Sequence, residues 1–113
     1  MKVTTTHLEH GIGLVTVEGS FIDEGSAQMV DDAVAKITAG DRPQVIIDLD
    51  KVTFLSSKAI GELVRAHVTT MRKGGKLVVC GLNERVYTML TVTKLNMVLH
   101  TARALEDAKK GFA

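Results

Sequence analysis

The chain has no tryptophan, one tyrosine, three phenylalanines, one cysteine and one proline among its 113 residues. Each scarcity removes a class of function. With almost no aromatic side chains there is no stacking platform for single-stranded nucleic acid. Mixed charges summing to a formal +1 leave no footprint for a phosphate backbone or an acidic membrane, so no nucleic-acid partner is expected. Cys80 alone makes no internal disulfide. No apolar run approaches the roughly 20 residues of a bilayer-spanning helix, so direct membrane insertion is not expected, and the start Met-Lys-Val-Thr-Thr-Thr lacks the apolar block of a signal peptide. The expectation is a reduced, cytoplasmic protein of one domain, residues 1–113, burying roughly 60–70% of its unfolded surface.

What is present is regular periodicity. Val3–Leu8 and Gly13–Glu18 alternate as strands around the turn-rich "EHGIG" and predict an antiparallel hairpin. Ala27, Val30, Ala33, Val34 and Ile37 recur at helical spacing from about residue 24 to 39, with Asp23 or Ser26 as N-cap. Gln44–Leu49 is nearly continuously apolar, as a strand covered on both faces must be. Ile60, Leu63, Val64, His67, Val68 and Met71 form one face of a second helix ended by Gly74-Gly75. Lys76–Cys80 reads as another buried strand, Asn83 as the cap of a third helix, Asn96–Leu99 as a short last strand and Thr101–Lys110 as a terminal helix with Ala102, Leu105 and Ala108 inward. The fold class this predicts is α/β: a mixed, mostly parallel sheet of about five strands with an N-terminal antiparallel hairpin and about four helices. Working surfaces in such sheets lie at the carboxyl ends of the parallel strands, where the loop carrying Ser56 and Ser57 falls.

Catalytic readings of these serines fail on spacing. A hydrolase elbow needs glycine two residues before and after the nucleophile, and Ser57 has Leu55 and Ala59 there. A penicillin-binding-type serine needs lysine three residues on, whereas Lys58 is adjacent. Lys73-Gly74-Gly75-Lys76 has Thr70 where a phosphate loop has its first glycine, and it leads into a strand, so a nucleotide-dependent enzyme lacks its motif. His7, His10, His67 and His100 form no i, i+4 pair, so no metal and no other cofactor is expected. His67 is expected as a hydrogen-bonded, partly buried residue, and Met29, Met71, Met89 and Met97 as core fillers. Asp31-Asp32 reads as a solvated helix face, and Asp48 and Asp50 are expected to flank the end of the central strand, facing the same crevice as Ser57.

The runs "VIIDLDKVTFLSSKAIGELV" and "GGKLVVCGLNERVYTMLTVTKLNMVL" resemble the STAS domain, the family of bacterial anti-sigma factor antagonists. In that family an apolar Val-Thr-Phe segment leads to an Asp-Ser-Ser/Thr-Gly-Leu-Gly motif opening a helix. The motif's Asp falls on Ser56, its phospho-acceptor on Ser57, its Ser/Thr on Lys58, its Gly on Ala59, its Leu on Ile60 and its last Gly on Gly61. Further departures are one extra residue before Asp23, in "GSFID", and Lys94 where a helix-ending glycine is common.

The resemblance implies a non-enzymatic interaction module that binds an anti-sigma factor/serine kinase of the switch type, releases a sigma factor and is controlled by phosphorylation of Ser57. Asp23, Ser56, Ser57, Lys58 and the exposed start of the second helix near Glu62 and Arg65 are the expected partner-binding residues. A phosphatase and a homodimer also fit this scheme. The alternative is an unphosphorylated STAS scaffold or subunit of a signalling or lipid-transport complex, which Ser56 and Lys58 favour. Physically, a phosphate on Ser57 at a helix N-terminus leaves the fold intact and adds about −1.5 to −2 charges to an exposed loop, whereas the plainer role of Ser56 or Ser57 is an N-cap.

Overall fold

The computed structural model describes residues 1–21 and 23–112. The first alternating segments form β1 (Lys2–His7) and β2 (Ile12–Phe21), paired antiparallel with Thr4 opposite Thr16. Every later strand is parallel to β2: β3 (Gln44–Leu55), β4 (Lys76–Cys80) and β5 (His100–Thr101), in the spatial order β1-β2-β3-β4-β5. The crossovers are α1 (Glu24–Ile37), α2 (Ser57–Arg72) and α3 (Glu84–Val92), and α4 (Leu105–Lys110) follows β5.

Side-chain alternation in the strands divides the interior into two layers. Val15, Val17, Val45, Ile47, Leu77 and Val79 point to the face covered by Val30 and Val34 of α1, Ile60 and Leu63 of α2, and Val86 and Leu90 of α3. Leu14, Ile46, Val78 and Cys80 point the other way, under Leu105 and Ala108 of α4. That two-sided burial is why β3 and β4 read as continuous apolar runs. Burial, with Asp48 and Asp50 nearby, pushes the Cys80 thiol up to about 12, so it behaves as a small apolar side chain.

Three elements differ from expectation. β3 does not stop at Leu49 but runs on to Leu55 alongside β2, bulging twice on the way. Asp48 therefore lies inside the strand, its carboxylate accepting from the Asp50 amide (3.0 Å) beside Gly81, away from the serine loop. Asn96–Leu99 is not a strand. Leu95 and Leu99 pack against the main core four residues apart, a helical spacing, and the Val98 amide donates to the Leu95 carbonyl (3.0 Å), closing Leu95–Met97 as a 3-10 turn. The strand role passes to His100 and Thr101, which pair with Val78 and Val79 and delay α4 to Leu105. Of the four methionines expected as core fillers, Met89 packs against the core, while Met29, Met71 and Met97 are exposed because they lie beside the buried stripes and not in them.

Two positions have backbone constraints with opposite consequences. Lys94, just past α3, sits in the left-handed region (φ 61°, ψ 16°), which explains why glycine is common there. Gly81 is also left-handed (φ +72°), and a β-carbon on it would lie 2.4 Å from the Asp50 nitrogen. Lys94→Gly is therefore expected to stabilise the fold by about 1 kcal/mol. Gly81→Ala is expected to destabilise it by more than about 2 kcal/mol, since the steric clash adds to the conformational cost. Urea denaturation midpoints at constant m-value check both.

Candidate functional site

β2 and β3 end side by side, with Phe21 opposite Leu55, and the Ser56 amide donates to the Phe21 carbonyl (3.1 Å). Helix α1 begins three residues and α2 two residues after these strand ends. Their N-terminal amides therefore open at one edge of the molecule, the carboxyl end of the parallel sheet.

Each helix has its own cap. At α1 the Asp23 carboxylate accepts from the Ser26 amide (2.8 Å), and that hydrogen bond first, then the Ser26 hydroxyl, hold its pKa below the ordinary carboxylate range. At α2 the Ser56 hydroxyl accepts from the Ala59 amide (3.2 Å). The two adjacent serines are thus distinct: Ser56 is the cap, and Ser57 is the first helical residue, exposed, with no described residue bonding its hydroxyl. Lys58 reaches across to α1 and pairs with Glu24, both side chains being largely solvated. Such a pair orients the cation but contributes little stability.

Arg65 is exposed on the same helix, but Glu62 is not. Expected at an exposed position, the Glu62 side chain is 4% accessible, because the turn that carries it faces α1 and packs between the buried Ala59 and Ala66. Its Oε2 lies 3.8 Å from the Arg65 guanidinium, and its Oε1 has no hydrogen-bond donor among the described residues. The structure thus brings Asp23, Ser56, Ser57 and Lys58 to one edge, sets Arg65 further along α2 and withdraws Glu62 beneath it. The extra residue of "GSFID" falls in the segment containing Ile22, which lies outside the described residues.

Sequence reasoning missed Phe54 and Arg85. Phe54, at the end of β3, is 56% exposed with the Arg85 guanidinium 5.7 Å from its ring centre, a cation–π contact beside the serine loop. The buried Leu55 next to it carried the signal, since alternation sends its neighbour outward. A cavity of about 570 Å³ lies elsewhere on the molecule, lined by Leu82, Glu84, Tyr87, Thr101, Ala102 and Arg103, and includes no residue of the serine loop.

His67 is buried as expected, but its Nδ1 finds no partner among the described residues, and its ring meets His100 edge-on at 5.7 Å. Burial first, then His100, push its pKa down, which favours the neutral ring. Among the described residues no group of three or more histidine, cysteine or acidic residues converges, and no helix formed by them is long and apolar enough to cross a membrane.

The family model of the STAS domain matches residues 4–108. The chain belongs to the STAS domain family. No curated protein sequence is similar enough to match it. Among solved structures, this STAS domain is similar to a candidate anti-sigma factor antagonist from Thermotoga maritima (15% identity, TM-score 0.84, covering 96% of this chain and 92% of that one). An anti-sigma factor antagonist from Mycobacterium paratuberculosis is similar at 25% identity and a TM-score of 0.81, covering 97% and 93%. The unphosphorylated form of the anti-sigma factor antagonist SpoIIAA is similar at 12% identity and 0.72, covering 97% and 96%.

The split between the two serines has a measurable consequence for this STAS domain. Ser56→Ala is expected to lower stability by about 1 kcal/mol through loss of the α2 cap. Ser57→Ala is expected to change it by less than about 0.5 kcal/mol, as an exposed substitution without partners. Chemical denaturation of the two variants checks this directly.

Proposed function

We propose that this STAS domain is an anti-sigma factor antagonist. It docks on an anti-sigma factor of the switch-kinase type through the edge where α1 and α2 begin, and phosphorylation of Ser57 controls the docking. The observation that carries the reading is the exposed hydroxyl of Ser57 at the start of α2, with capping done by Ser56. Modification of Ser57 then breaks no structural hydrogen bond. The phosphate meets helix N-terminal amides, which welcome it, and its charge faces outward where a partner sits. The likeness to the antagonist from Mycobacterium paratuberculosis supports the same role.

The docking surface in this reading contains Asp23, Ser56, Ser57, Lys58 and Arg65, with Phe54 as an apolar anchor. Glu62 lies withdrawn beneath Arg65, outside the exposed surface. The protein acts by binding and not by catalysis, and a phosphatase restores the docking-competent form.

Lys58 favours a second reading, in which the domain is an unphosphorylated scaffold. Its ammonium lies in the first turn of α2 next to Ser57, and Ser56 stands where the family motif has an acid. Incubation with the cognate kinase and ATP separates the two. The switch reading expects a mass increase of one phosphate, kept in Ser56→Ala and lost in Ser57→Ala, whereas the scaffold reading expects none. A Ser57→Asp variant is expected to unfold at the same denaturant concentration as the parent and to bind the kinase at least about tenfold more weakly, about 1.4 kcal/mol. Equal affinity in a titration counts against the switch.

A further inference from the structure

We propose that β1 is a docking edge for a second copy of this chain, the two β1 strands running antiparallel about a two-fold axis at Thr5 and joining two five-stranded sheets into one. The proposal rests on backbone geometry and stands whether or not Ser57 is a switch.

The sheet has two edges. At one, β5 is two residues long. At the other, β1 offers six residues, and its pairing with β2 runs from Lys2 to His7 without a bulge. Edges of soluble sheets are ordinarily blunted by proline, by charge or by a bulge. Val3–Thr6 carries none of these: its sequence is Val-Thr-Thr-Thr, β-branched throughout and uncharged.

The register identifies which backbone groups face outward. Leu8 lies opposite Ile12 in continuation of the β1–β2 pairing, and its amide donates to the Ile12 carbonyl (2.7 Å). Antiparallel ladders alternate hydrogen-bonded with non-bonded pairs. Thr6, Thr4 and Lys2 therefore bond to β2, whereas the N–H and C=O groups of Val3, Thr5 and His7 point along the open edge. These three positions are symmetric about Thr5, so the strand is complementary to itself turned around. Thr5 meets Thr5, Val3 meets His7 at either side, and each of these facing pairs exchanges two hydrogen bonds. A slip of one residue sets the outward groups of one copy against residues whose own groups already serve β2.

Charge and apolar surface fit the same occupant. In this register Lys2 of each copy lies opposite Leu8 of the other, beside Glu9, so opposite charges fall together at both ends of the seam. The two Lys2 residues are about 20 Å apart along it. Met1 and Met29 are exposed on the same side of the molecule as half-buried Val3. Met29 lies on the flank of α1 turned away from α2, since Glu24, which pairs with Lys58 of α2, is about 140° around the helix from it. A two-fold axis perpendicular to the joined sheet puts both α1 helices on one face and turns both Met29 side chains towards the seam. An unrelated extended peptide gains the backbone bonds but neither of these matches.

The pairing is small beside a standard interface of about 1,600 Å², so the dimer is weak: sedimentation equilibrium of the full chain from about 10 μM to about 1 mM is expected to pass from monomer towards dimer. Thr5→Pro removes an outward N–H that β2 does not use, and proline is tolerated at such edge positions. This variant is expected to keep the parent's circular dichroism and to stay monomeric throughout. A parent that is monomeric at the top of the range, as a sheet edge meant for another protein's peptide would leave it, overturns the proposal. So does a folded Thr5→Pro variant that still dimerises. Thr5→Cys reads the register independently, because facing bonded residues have α-carbons about 5.5 Å apart, within disulfide reach, and buried Cys80 does not compete. With oxidised glutathione, Thr5→Cys is expected to give disulfide-linked dimers at least about tenfold faster than Val3→Cys, whose counterpart lies four residues further along the seam. Equal rates overturn the register and the proposal with it.

Discussion

The hydrogen bond from the Ser56 amide to the Phe21 carbonyl closes the long parallel pairing of β2 with β3, and the functional edge depends on that pairing. Had β3 ended at Leu49, α2 would begin short of α1 and its first turn would abut the sheet. Instead β3 advances seven residues, from Asp48 to Leu55, while β2 advances five, from Thr16 to Phe21. The surplus is taken up in two bulges, which add twist and re-aim the strand end. Ser56, Ser57 and Lys58 thereby arrive level with Asp23 and Glu24, close enough for an ion pair between the two helices.

Side-by-side helix starts give the edge its chemistry. Amides of two first turns face outward, two of them satisfied by Asp23 and Ser56. A negative group added at Ser57 gains from this field, by about 0.3–1 kcal/mol for an exposed charge. That gain is too small to reorganise helices anchored by Leu63, Val30 and Phe21, all fully buried. The effect of such a charge is consequently felt at the surface a partner would meet. The Lys58–Glu24 pair tempers it, because the cation is already drawn towards α1 and offers only partial neutralisation at Ser57.

Most of the architecture was legible in the sequence because burial writes its own period. The hairpin, the two-sided strands at Gln44 and Lys76, the α1 and α2 stripes and the Asn83 cap follow from local pattern. The failures occurred where pattern and partner conflict. Charged Asp48, Asp50 and Lys51 concealed the second half of β3, which exists through pairing with β2 and bulges at those residues. The predicted strand Asn96–Leu99 fails because Leu99 pairs with Leu95, four residues back, as in a helical turn. Within the site, the serine loop was visible from its motif. The burial of Glu62 was not, since a charged residue two positions after Ile60 looks solvated until α1 is laid against it.

Helix α2 carries both the exposed Ser57 and two buried ionisable side chains. Its apolar stripe contributes about 1.5–3 kcal/mol for each large side chain such as Ile60 or Leu63. Against this stand Glu62, facing α1, and His67, facing β5, each with one buried polar atom lacking a partner among the described residues. An unsatisfied buried group costs about 1–3 kcal/mol. Both groups are biased towards their neutral forms, Glu62 by a raised and His67 by a lowered pKa, which limits that cost near neutral pH. The apolar stripe thus fixes the helix start at which Ser57 is exposed, while the two ionisable side chains on its buried flanks are accommodated in their neutral forms.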